Sequence, residues 1–77
     1  MDIKILGSGC AKCKKLEQSA REAVVELGID ASVTKVEDIM EIMNYGIATT
    51  PAIVVDGKVL LKGRTASTSE IKKMLSP

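Results

Sequence analysis

The chain has 77 residues, eleven Lys and Arg against ten Asp and Glu, no His, Trp or Phe, and one Tyr. A net charge of +1 gives no electrostatic footprint for nucleic acid or an anionic membrane, and one aromatic cannot build a base-stacking surface. No run approaches the ~18 apolar residues of a membrane span, and no apolar stretch ends at a small-residue cleavage site. The expectation is therefore one cytoplasmic, monomeric domain over residues 1–77, with no nucleic-acid or membrane partner. Its core must be aliphatic.

Met1 to Leu6 reads as a strand, with Ile3 and Ile5 alternating against polar neighbours. Gly7-Ser8-Gly9 breaks it, and a helix is predicted to start at about Cys10. Leu16, Ala20, Ala23, Val24 and Leu27 then form one helical stripe that Cys13 extends backwards, while Glu17 and Arg21 form an i,i+4 pair outside. Gly28 is the predicted C-cap. A second strand is best seen in Ala31 to Val36. Glu37 or Asp38 opens a short helix whose apolar set is Ile39, Met40, Ile42 and Met43. After Ile47-Ala48-Thr49-Thr50-Pro51, two strands (52–55 and 58–61) flank Asp56-Gly57, the strongest short-range hairpin signal. Ser67 with Glu70 spells a capping box before a last helix carrying Ile71, Met74 and Leu75. The order is β-α-β-α-β-β-α. A right-handed crossover makes the first two strands parallel, so an α/β fold with a four-stranded mixed sheet and helices on both faces is expected.

Cys10 and Cys13 are the only cysteines. As a structural staple the pair does little, because a four-residue loop is worth only ~2 kcal/mol of chain entropy and ties together nothing distant. As a reactive pair it is well placed. Thiol–disulfide exchange needs a thiolate to attack and a second thiol to release the mixed disulfide. A helix N-terminus favours the thiolate, and Lys12 adds positive charge beside it. Cys10, at the exposed end, is then the nucleophile, and Cys13, one turn in, the resolving thiol. Zinc would need four ligands, and one chain offers two sulfurs and no histidine. A Cu(I) chaperone of the ferredoxin-like type also carries Cys-x-x-Cys after its first strand. That fold ends on a strand, however, and its usual Met before the first Cys is here replaced by Gly7-Ser8-Gly9.

With Cys10-Ala11-Lys12-Cys13 after strand one and Thr50-Pro51 before strand three, the chain resembles the thioredoxin/glutaredoxin superfamily. It is most similar to the small archaeal and bacterial redox-active disulfide proteins, which share the Gly-x-Gly-Cys-x-x-Cys opening. The resemblance implies a thiol–disulfide oxidoreductase that needs no cofactor or metal, with protein disulfides as substrates and a reductase, not identified by the sequence, as partner. It also implies that Pro51 is cis against the cysteines and that Thr50 pairs its backbone with substrate. A non-catalytic binding module of the same fold is the other reading. The glutathione-holding pattern of glutaredoxins is only partly present, since Gly63 is followed by Arg64-Thr65-Ala66, and Arg64 reads as a solvated turn residue. Tyr45 reads as packing for the second helix, and Met40, Met43 and Met74 as core rather than metal ligands.

Overall fold

In the computed structural model, which describes residues 1–7 and 11–75, the elements run β1 (Asp2–Leu6), α1 (Ala11–Leu27), β2 (Ser32–Val36), α2 (Ile39–Asn44), β3 (Ala52–Val55), β4 (Lys58–Lys62) and α3 (Thr68–Leu75). The sheet order is β2-β1-β3-β4, with β1 and β2 parallel and both other pairings antiparallel. The predicted architecture is the observed one. With α2 between β2 and β3, the described elements do not follow the β-α-β-β-α-β order of a ferredoxin-like metal chaperone, so the resemblance to that class stops at the cysteine spacing.

Strand alternation divides the core between the two faces of the sheet. Ile3, Ile5 and Ile53 point to one face, where Leu16, Ala20 and Ala23 of α1 and Ile71 and Leu75 of α3 cover them. Leu6, Ala52 and Val54 point to the other, where Ile42 of α2 and Ile47 meet them. Met74 packs against the first cluster as expected. Met40 and Met43 do not belong to the core. They are 70% and 62% exposed, with Ile39 at 66%. A helix of only six residues turns one narrow face to the sheet, and Ile42 occupies it.

Local signals explain the element ends. The Asp38 carboxylate accepts from the Met40 N–H at 2.9 Å, which caps α2. Asp56 and Gly57 both have positive φ, 49° and 84°, as a two-residue hairpin turn with the right twist demands. The Asp56 carboxylate accepts from the Asp2 N–H at 2.8 Å, which holds that turn to β1. A register shift between Ile53 and Val54 lengthens β4 by one residue relative to the prediction, to Lys62. The Glu17–Arg21 pair closes at 2.8 Å.

The capping box before α3 forms in half. Ser67 Oγ accepts from the Glu70 N–H at 3.2 Å. The Glu70 carboxylate, instead of turning back to its own cap, takes the Arg64 guanidinium. That hydrogen bond holds the Glu70 carboxyl below its usual range and raises Arg64. Arg64 is thus an exposed turn residue, as expected from sequence, and in that turn it pairs with a neighbouring carboxylate. Tyr45 packs with the second cluster, as predicted, and its hydroxyl accepts from the Lys4 ammonium at 3.1 Å. This contact, ahead of charge interactions with Tyr45 and Asp2, raises the Lys4 pKa.

Candidate functional site

The site is built where the C-terminal end of β1, the first turn of α1 and the loop before β3 converge. Leu16, fully buried under the sheet, anchors α1, and Cys13 three residues earlier lies on the same stripe, only 5% exposed. It is a disulfide-bonded sulfur. Cys10, the only other cysteine of the sequence, lies outside the described residues, as do Ser8 and Gly9. Lys12 is exposed in the first turn of α1, a turn that carries no carboxylate to offset the positive helix end.

The Thr50–Pro51 peptide bond is cis. Pro51 is fully buried and Thr50 exposed, so the loop roots itself by the ring and offers its preceding residue to solvent. The Pro51 carbonyl accepts from the Gly63 N–H at 2.9 Å, which ties the loop to the end of β4. Across the gap lies Gly7, buried, with its N–H donating to the Val36 carbonyl at 3.0 Å. A side chain placed on Gly7 would point straight at Cys13 and Thr50, whose nearest atoms lie within 4 Å of that point. The fold therefore brings Cys13 and Thr50, the residue before cis-Pro51, together around Gly7, although they are far apart in sequence.

Two features of this region were not legible as functional. Gly7 read only as a strand breaker. Beside Thr50, Ile39, Ile42 and Met43 of α2 with Ile47 and Ala48 line an open apolar groove of about 590 Å³. The sequence signal was the same apolar set that read as core. Glu37, Asp38 and Glu41, in and just before α2, are exposed, and α2 carries no basic residue.

This fold, with a buried cysteine in the first turn of α1 facing a cis-proline loop, defines the thioredoxin-like class. A family model described as a thioredoxin domain matches residues 1–76. A thioredoxin of Methanothermobacter thermautotrophicus is 50% identical over 76 residues, which cover 99% of each chain. A thioredoxin of Methanocaldococcus jannaschii is 40% identical over 73 residues, 95% of this chain and 84% of that one. The chain belongs to the thioredoxin family, and it is a thioredoxin-like redox protein. No helix among the described residues is long and apolar enough to cross a membrane.

Proposed function

We propose that the protein is a dithiol–disulfide oxidoreductase that reduces or exchanges protein disulfides through Cys10 and Cys13. The observation that carries this reading is the meeting of buried Cys13 with the exposed Thr50 beside cis-Pro51. Cys10 attacks the substrate disulfide. Cys13, shielded by the sheet, resolves the mixed disulfide that results. The unoffset positive end of α1 and the Lys12 ammonium favour the attacking thiolate, an effect that salt screens. Thr50 and Pro51 hold the substrate backbone alongside. The chain works as a monomer in the reducing cytoplasm, recharged by a partner reductase, and the exchange itself needs no metal or organic cofactor.

The groove between α2 and Thr50 gives a protein substrate a place to lie. Ile39 and Met43 form its exposed apolar wall and run directly to the substrate-holding loop. Met43→Lys puts a charge in that wall at a position whose side chain is not in the core. The expected result is a several-fold higher KM for insulin, with little change in the rate on a small aromatic disulfide such as dithiobis(nitrobenzoate). Insulin reduction in dithiothreitol and the chromogenic assay measure the two arms. An unchanged insulin KM would remove the groove from the reading. Failure of wild-type protein in both arms would leave a non-catalytic module of the same fold.

A further inference from the structure

We propose that Gly7 is a positioning residue for the exchange reaction: its missing side chain leaves open the seat that the Cys13 sulfur occupies in the disulfide, the position it must reach as it attacks. This inference rests on the roles assigned above to Cys10 and Cys13.

The geometry leaves no room for anything else at position 7. A Cβ on Gly7 would lie 2.3 Å from the disulfide-bonded Cys13 Sγ and 3.3 Å from Cys13 Cβ. Non-bonded carbons prefer ~3.5–4.0 Å, and sulfur is larger, so sulfur and methyl would have to part by more than roughly 1 Å. Neither backbone can give that distance. Gly7 is fixed by its bond to the Val36 carbonyl at 3.0 Å, and α1 is fixed by the fully buried Leu16, Ala20 and Ala23. Only the Cys13 sulfur can yield, by swinging off its seat. The backbone of residue 7 also has φ +151°, a conformation that side-chain-bearing residues rarely adopt.

The consequence falls on one step. In resolution, the Cys13 thiolate attacks the Cys10 sulfur of the mixed disulfide, and the Cys10–Cys13 bond forms. The bond from Cys10 to the substrate sulfur breaks, and the departing thiolate takes a proton from water. Two electrons pass from the protein pair to the substrate pair, with no further reactant. The attack needs three sulfurs in line, and a displacement of about 1 Å at a reacting atom costs on the order of 10²-fold in rate. The first step, attack by Cys10 on the incoming disulfide, does not use the Cys13 sulfur.

Reduced protein mixed with one equivalent of dithiobis(nitrobenzoate) separates the two steps optically. Cys10 attack releases the first nitrothiobenzoate, and Cys13 resolution releases the second. Gly7→Ala should leave the first phase within a few-fold of wild type and slow the second about 100-fold. Gly28→Ala is the control for backbone strain alone, because Gly28 has φ +63° with nothing within 4 Å of its would-be Cβ, and both its phases should match wild type. Equal second phases in Gly7→Ala and wild type would overturn the proposal. A wild type that releases only one equivalent would overturn the dithiol reading instead, whatever Gly7 does. Should Gly7→Ala fail to fold, the comparison moves to a Cys13→Ala background. There the seat is empty of sulfur and Gly7→Ala should be tolerated, and an equal failure to fold would again contradict the assignment.

Discussion

Cys13→Ser protein incubated with a disulfide-bonded protein substrate should accumulate as a covalent mixed disulfide through Cys10, with catalytic turnover reduced to background. The serine hydroxyl cannot displace a thiolate at neutral pH, so the reaction stops after its first step. Cys10→Ser should lose turnover equally but trap nothing, because the remaining thiol is only 5% exposed and cannot reach a protein disulfide. Non-reducing electrophoresis and intact-mass measurement distinguish the two. The roles are reversed if Cys10→Ser is the variant that traps. If neither traps, exchange does not proceed through a mixed disulfide.

Leu16→Ala is the second large effect, and it acts on stability. Leu16 is fully buried where α1 crosses β1, in the cluster with Ile3, Ile5, Ile53 and Ile71. Removing a buried leucine leaves a cavity and costs ~2–5 kcal/mol. A chain of this length holds on the order of 4–11 kcal/mol in total, so a large share disappears. Denaturant titration should report that loss, and the Tm should fall by about 8 °C or more. Val25→Ala on the same helix provides the contrast. Val25 is 78% exposed, so its loss should stay within about 0.5 kcal/mol. If Leu16→Ala were equally mild, α1 would not be held by that stripe, and the placement of Cys13 would need another cause.

Comparison of these residues with their sequence signals shows which physical rules reach the site. The α1 stripe was legible because seventeen helical residues repeat the 3.6-residue period several times, and Cys13 falls on the repeat. Asp56-Gly57 was legible because its turn chemistry is local. For α2 the period ran out. With six residues, Ile39, Met40, Ile42 and Met43 give no stripe to measure, and hydrophobicity alone put all four inside. Only Ile42 went there, and the others became a surface. Arg64 and Glu70 are six apart, beyond the helix spacings that predict a pair, so their contact depends on how the turn folds. Gly7 was the least legible. Its importance lies in a contact with Cys13 and Thr50 that only the assembled sheet creates. The Thr50–Pro51 loop was placed by resemblance to a family, since a proline before a strand is ordinary on local grounds.

The central claim is that Cys10 and Cys13 form one reversible two-electron couple within a single chain, and equilibration against glutathione buffers of graded ratio tests it most directly. After acid quench and alkylation, intact mass should divide the protein into two species, doubly alkylated dithiol and unalkylated intramolecular disulfide. Their ratio should change tenfold for each ~30 mV of applied potential. Stable glutathione adducts, disulfide-linked dimers, or a pair that stays reduced across the whole range would contradict it.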